Sequence, residues 1–504
     1  MNPSGTRRTA GAGRWRSLGR RAPWAIALSA ALSGCSPYAI REAPLPAVEA
    51  GAAFPAADPA DTVAPLSDTL RQPWWESFAR PGLNTLITQS LANNQRIAQA
   101  AAVLDQARAL ARRSDAQRFP EIGFEGASSK EWEGGDGQPS STGIGAALAW
   151  EVDVFERLGN AALADRLEAV ARQEALQTTR LTLSAEVANA WFGAVAANRR
   201  IALLRAQLTL DRELLDLLQL RFDYGVGTRV DVMRQQARVA DSETLIPLAQ
   251  SDLAVFENRL DVLSGAMPDG RPRVPVDEAL DFAAQLPPLG VPAELLLRRP
   301  DLRAARAELV AADAEIAAAI ADRLPRVTLD GSLVFSDTAS FTGPVALIAG
   351  AFVQPLLDWG RRKAEVERNE ALYRERLAAF TQQFLEAVEA VDSALVRERR
   401  QREFLQRLAH QRDILQQTVD ASKDRYTQGV DDYLSVIDAL QELRDVERDL
   451  IVEQRNLIAI RIDLFRALGG PLPAADDALA IRKQYGLEHV SMGARTTQMN
   501  DATK

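Results

Sequence analysis

The sequence predicts an α+β membrane protein, mostly α, in which one elongated unit is written twice. Three observations carry this. Landmarks recur about two hundred residues apart: Phe119-Pro120 with Leu324-Pro325, Tyr224-Gly225-Val226-Gly227 with Tyr426-Thr427-Gln428-Gly429, and Leu263-Ser264-Gly265 with Leu468-Gly469-Gly470, a period far too long for a solenoid. Each copy contains an exceptionally long helical pattern that turns at a glycine and comes back. Each also contains a pair of short alternating segments at the other end of its hairpin, bounded by Gly-rich loops.

The N-terminus predicts an address. Residues 1–34 hold six arginines and no acid, followed by the short apolar run 24–32 and then Leu32-Ser33-Gly34-Cys35. A basic start, a run too short to span a bilayer and small residues before a cut site read as a signal peptide, here 1–34. Cys35 is the only cysteine, so no intrachain disulfide forms. Leu-Ser-Gly-Cys matches the bacterial lipobox. The match implies cleavage before Cys35, lipid on its sulfur and new amino group, and, with Ser36 next, sorting to the outer membrane. Several acyl chains anchor a protein far more firmly than one. Without the signal, 53 basic residues face 68 acidic ones, which argues against nucleic acid as a partner because that needs a basic footprint. No later apolar run reaches the length of a membrane helix, so any crossing must use strands.

Residues 35–71 are rich in Pro and Ala and predict an extended, lipidated linker. The first repeat occupies 72–290. Trp74 and Trp75 are read as packing anchors, and 83–118 as one helical stretch. The long helices follow at 161–221 and, in the second repeat (291–470), at 361–428. The second has neither Gly nor Pro, and Val366, Tyr373, Leu377, Phe380 and Phe384 recur at coiled-coil spacing. At 1.5 Å per residue such a helix is about 100 Å long. The returns run over 228–263 and 430–468, with tip turns near 225–228 and 428–432. Strands are expected near 121–130, 143–154, 326–336 and 345–356, and 471–504 forms a tail. About ten alternating residues suit a tilted transmembrane strand. Four strands cannot close a barrel, and open edges are not tolerated in lipid. Three chains would supply the twelve strands of a modest barrel; a soluble four-stranded sheet capping a helical bundle fits the strands equally.

Several stretches carry a resemblance: Trp74-Trp75-Glu76-Ser77-Phe78 with Leu83-Asn84-Thr85-Leu86-Ile87, Leu296-Leu297-Arg298-Arg299-Pro300-Asp301-Leu302, Gln354-Pro355-Leu356-Leu357-Asp358-Trp359-Gly360-Arg361, and both tip turns. On these the chain resembles the outer-membrane efflux proteins, the TolC-like channel-tunnels, in their OprM/NodT-type lipoprotein branch. The resemblance implies a homotrimer with a twelve-stranded barrel in the outer membrane and a helical tunnel crossing the periplasm. It also implies a periplasmic adaptor docked on the tip and an inner-membrane pump, commonly proton-driven and of the RND type. The role so implied is a passive exit duct for small molecules such as drugs and toxic compounds, with no enzymatic activity and no cofactor besides the lipid on Cys35.

Two constellations carry that role. The tip residues Gly225, Val226, Gly227, Thr228, Gly429 and Val430 would end helices in any fold, since glycine accepts left-handed dihedrals; the resemblance adds adaptor docking. Leu434 and Asp438 lie four apart on one helix face, an ordinary solvated position unless three copies converge. The resemblance makes them periplasmic gate residues, a ring of three carboxylates being a route to cation selectivity. Ser435 stands where the TolC branch has a second acid. Asp431 replaces the basic partner of Tyr426, which puts that latch in doubt.

Two histidines, His410 and His489, and no nucleophile or phosphate-binding motif leave an enzyme without support. Two alternatives stay open: the outer-membrane component of a type I protein secretion system, and a structural envelope lipoprotein.

Overall fold

The computed structural model describes residues 37–41, 51, 53–57, 73–130, 140–282, 286–287, 289, 291–338 and 341–470. Cys35, the signal peptide and the tail lie outside the described residues. The first copy contains α1 (Pro81–Asn93), α2 (Gln95–Ala116), β1 (Glu121–Lys130), β2 (Ser140–Val152), α3 (Arg157–Asp223) and α4 (Arg229–Leu263). The second contains α5 (Leu295–Arg298), α6 (Pro300–Ala321), β3 (Arg326–Thr338), β4 (Phe341–Val353), α7 (Arg361–Thr427) and α8 (Tyr433–Ala467). The duplication holds to the residue: α3 and α7 are both 67 residues long, and α4 and α8 are both 35. Each long helix therefore extends about 100 Å.

Gly193 lies in the middle of α3 without breaking it. A Cβ there would sit 2.4 Å from the Phe256 ring of α4, so the glycine serves close helix–helix approach rather than a bend.

The expected single helix over 83–118 is two helices. Asn94 takes an extended conformation (φ −69°, ψ 131°) between them. Its Oδ1 accepts the Arg96 N–H at 2.8 Å and so caps α2, while its Nδ2 donates to the Leu263 carbonyl at 2.8 Å. A partner 169 residues away decides where α1 ends, and no local apolar period records that.

The four strands form one antiparallel sheet in the order β1-β2-β3-β4. Ile144 pairs with Gly126 on one side and with Phe335 on the other. β2 and β4 begin three to four residues earlier than their apolar alternation and end earlier too, at Val152 and Val353. Ladder hydrogen bonds carry through polar residues at the hairpin ends. Pro355 lacks an N–H to continue β4, and the Asp153 carboxylate is committed to the Leu158 and Gly159 N–H groups at the start of α3. The outer edges of β1 and β4 have no strand partner among the described residues. Ile122, Phe124, Ile144, Phe335, Leu347 and Phe352 are exposed, although burying one such side chain is worth about 1.5–3 kcal/mol. A sheet that leaves so much apolar surface outside is made for another apolar phase or another chain.

The chain divides into two compact units. One comprises Arg112–Leu163 and Asp313–Glu370 with the N-terminal residues to Ile40, and holds the sheet. The other comprises Arg41–Ala111, Ala164–Ala312 and the rest from Ala371. Its core gathers Trp74, Trp75, Phe78, Ile87, Trp191 and Phe192 with Leu260 and Phe465. Trp74 stacks on Phe465 at 5.4 Å and donates its indole N–H to Ser184. Buried in this way, the paired tryptophans are packing residues.

The linker is not wholly an extended tether. Tyr38 donates its hydroxyl to Asp313 at 2.7 Å, Arg41 lies over the Tyr373 ring, Phe54 is buried, and the Ala56 N–H reaches Asp392. A few aromatic and polar residues within a Pro/Ala-rich segment suffice to dock it.

Candidate functional site

Both hairpins turn by the same device. Gly225 and Gly429 each have φ +74°. The Gly225 N–H bonds the Phe222 carbonyl and the Val226 N–H the Arg221 carbonyl, both at 2.9 Å; the Gly429 N–H bonds the Tyr426 carbonyl and the Val430 N–H the Arg425 carbonyl, at 3.0 and 2.9 Å. This is a Schellman closure, which satisfies the last carbonyls of a helix through one left-handed residue. The returning helices are then capped by side chains. Thr228 Oγ1 accepts the Asp231 N–H, and Asp432 Oδ1 accepts the Ser435 N–H. None of this requires an apolar residue at the apex, yet Val226 and Val430 are exposed there, with Tyr224 beside them. All six residues expected for docking lie in or beside these turns, and Gly227 alone among them is part-buried.

At the second turn Asp431 does not face Tyr426 as a latch partner. It accepts two bonds from Arg425, at 2.6 and 2.8 Å. The Arg425 hydrogen bonds hold its carboxyl below the ordinary 3.8. A depressed carboxylate contributes order that is complete above the ordinary pKa and is lost as pH falls through the lowered one. Amide exchange at 428–432 is therefore expected to be unchanged by this pair between pH 5 and 8 and to quicken only in strong acid. Arg425→Ala should abolish that acid step.

Tyr426 has a different cation. The Arg221 guanidinium, from the first hairpin, lies over its ring at 4.6 Å, and Tyr433 packs against it at 5.4 Å. The two hairpins are thus joined just behind their turns. Leu218, Val232, Val419, Tyr433, Val436 and Leu440 form the apolar core of that region.

Within this core sits a buried polar network that the sequence did not announce. Asp211 of α3 and Arg444 of α8, with side chains 1% and 7% exposed, form a two-pronged ion pair at 2.8 and 3.0 Å. Ser242 donates to Asp211 at 2.6 Å. Gln235 of α4 donates to the Asp211 carbonyl and accepts the Tyr433 hydroxyl at 2.8 Å. Burial, reinforced by the Asp211 charge, raises the pKa of Tyr433, so it remains a neutral donor. Residues spaced 24 to 233 apart in the chain leave no motif. The only local signal was an arginine in the middle of an apolar stripe.

Leu434 and Asp438 lie on the opposite, exposed side of α8 while Val436, Ala439 and Leu440 are buried. Glu442, Asp445 and Asp449 are exposed farther along α8, so with Asp438 they make an acidic stripe at helical spacing. Only Asp438 was singled out from the sequence. The others look like ordinary helix charges until the buried face is known.

Among the described residues no helix is long and apolar enough to cross a membrane, and no cluster of metal-ligating side chains occurs.

The sequence profile described as "Outer membrane efflux protein" matches residues 86–266 and again 291–470. The chain is 28% identical over 419 residues to the pyoverdine export outer membrane protein OpmQ of Pseudomonas putida, covering 79% of this chain and 88% of that one. It is 28% identical over 471 residues to the toluene efflux pump outer membrane protein TtgF of Pseudomonas putida, covering 88% and 96%. Among solved structures it superimposes on the outer-membrane channel OprN with a TM-score of 0.75 at 28% identity, covering 86% of this chain and 98% of that one. It shares the fold of the Neisseria gonorrhoeae MtrE outer membrane channel, with a TM-score of 0.78 at 24% identity, covering 86% and 98%. Profile, relatives and fold agree with a doubled hairpin-and-sheet chain that carries two turned tips: this protein belongs to the outer membrane efflux protein family.

Proposed function

We propose that three copies of this chain form the exit duct of a tripartite efflux system. In this arrangement a periplasmic adaptor docks at the paired tips, and an RND-type inner-membrane pump supplies the energy. As a member of its family the chain is an outer-membrane efflux channel and not an enzyme. The observation that carries the assembly is the sheet: four antiparallel strands with exposed apolar side chains and, among the described residues, two edges without a strand partner. Twelve strands from three chains would satisfy both edges and place the apolar side chains in lipid. The same geometry disfavours a structural lipoprotein, which has no use for such strands.

The adaptor site is assigned to Gly225, Val226, Gly227 and Thr228 with Gly429 and Val430, because exposed Val226 and Val430 at the apices serve contact and not folding. Cys35 is taken as the lipidated residue. Relatives are named for pyoverdine export and for toluene and solvent efflux, so small molecules are the proposed cargo rather than folded protein. The test is photo-crosslinking in living cells from a probe replacing Thr228. Capture of a periplasmic adaptor supports the duct. Capture of peptidoglycan, or an adaptor of an ATP-driven protein exporter, would replace it.

A further inference from the structure

We propose that neighbouring copies join by repeating a contact that already exists within one chain: β4 of one copy pairs with β1 of the next in the register of β2 on β3. The proposal rests on the assembly of three copies and specifies how they meet. The two halves of the chain obey a fixed offset. α3 and α7 begin 204 residues apart, at Arg157 and Arg361, and β1 and β3 begin 205 apart, at Glu121 and Arg326. Applied to the pair Glu121–Ala149, these offsets give Arg326–Val353, which is the pair observed. Val152–Val327 and Leu148–Gly331 join the two halves. The same offsets turn them into Leu356 opposite Ile122 and Phe352 opposite Gly126 of a second copy.

Three independent features fit that register. Directly opposed residues share a face, so the ladders put Ile122, Phe124, Ile144, Phe335, Ile348 and Phe352 on one face, and all six are exposed. With Phe352 opposite Gly126 this apolar face runs on unbroken into the next copy, whereas a slip of one residue would turn Ile122 and Phe124 to the other side. The strand ends agree as well. β2 leaves β1 at Ala149 but stays on β3 to Val152. β4 leaves β3 at Val353, the counterpart of Ala149, while Leu356, the counterpart of Val152, is 91% exposed. Likewise Phe155 is half-buried, and its counterpart Trp359 is 90% exposed. The second junction is bare where the first is covered. Charge follows suit. Arg157 is held by Glu151 at 2.7 Å and feels the Asp322 carboxylate, which pairs with Arg326. Pro355 stands in the place of Glu151, leaving Arg361 exposed and without an ion pair among the described residues. Glu121, in the place of Arg326, is equally exposed and unpaired there. Where two copies meet, this cation and this acid come together.

Phe352→Cys combined with Gly126→Cys tests the register in the full chain in membranes. Within one chain the two edges are three strand spacings apart, about 14 Å, too far for a disulfide. An oxidised product that needs both cysteines therefore joins two copies. Expected are covalent dimers and trimers on denaturing gels. Phe352→Cys with Phe124→Cys, or with Ser128→Cys, should lose them, because two residues of offset add about 7 Å along the strand. Glu121→Arg or Arg361→Glu alone should lower the share of chain recovered as trimer, and the double reversal should restore it. Trimers that fail to cross-link through Gly126, or a double reversal no better than either single one, overturn the proposed pairing. Absence of any trimer from the native chain would overturn the assembly itself.

Discussion

Arg444→Met is expected to cost about 3 kcal/mol and to loosen the tip of the channel. The substitution keeps the volume and apolar stem of the side chain but leaves the Asp211 carboxylate, 1% exposed, without its cation. Removing one partner of a buried pair costs about 3–5 kcal/mol, because the remaining charge is stranded in a poorly polarisable surrounding. The lower end applies here, since the Asp211 carboxylate still accepts from Ser242 at 2.6 Å and from Gln235 at 3.3 Å. Asp211→Leu with Arg444→Met should recover most of the loss, as apolar replacement of a whole buried pair is often neutral. The difference is a coupling energy of roughly 2 kcal/mol or more. The pair ties α8 to the first hairpin, so its loss should appear locally. Amide exchange over 433–444 should quicken and single-channel conductance should rise, with the barrel intact. Unchanged exchange in Arg444→Met would show that the apolar core alone holds α8.

That pair also shows where sequence reasoning stops. The duplication, both hairpins, all four strands and both turns were legible because each depends on local chemistry: coiled-coil spacing, alternation, and a glycine at φ +74°. Their ends were less so. Asn94 breaks a helix through a bond to Leu263, and β2 starts in polar residues because its partners, and not its side chains, extend the ladder. The candidate tip residues were visible as a turn, and their exposure fits docking. The wiring behind them was not. Arg221 over Tyr426 and Asp211 with Arg444 are chosen by which helix faces meet, which no periodicity within one helix contains, while Asp431 meets Arg425 across the turn. The replacement of a basic residue by Asp431 left Tyr426 without its expected partner, and the structure supplies Arg221 from a neighbouring helix instead.

Asp438→Ala should reduce the cation preference of the open channel several-fold at low salt and leave it nearly unchanged at high salt. If the exposed face of α8 lines the narrowest part of a trimeric duct, Asp438 contributes three carboxylates at one level. A monovalent ion passing about 8 Å from each, in water, gains or loses about 0.5 kcal/mol per charge. Three such terms shift cations and anions in opposite directions by about 1.5 kcal/mol each, an upper bound near one hundredfold in their ratio. Salt lowers it sharply, because the screening length is about 10 Å at 0.1 M and about 3 Å at 1 M. Glu442, Asp445 and Asp449, exposed on the same helix, should preserve a residual preference, so the loss is partial. On the same premise Leu434, one turn before Asp438 and 41% exposed, would set width and not charge. Leu434→Ala should therefore raise conductance with selectivity retained, the opposite pattern. Reversal potentials across planar bilayers at 0.1 M and 1 M salt separate the two. If Asp438→Ala alters neither selectivity nor conductance at 0.1 M, this face of α8 does not line the constriction, and the gate must be sought on another helix.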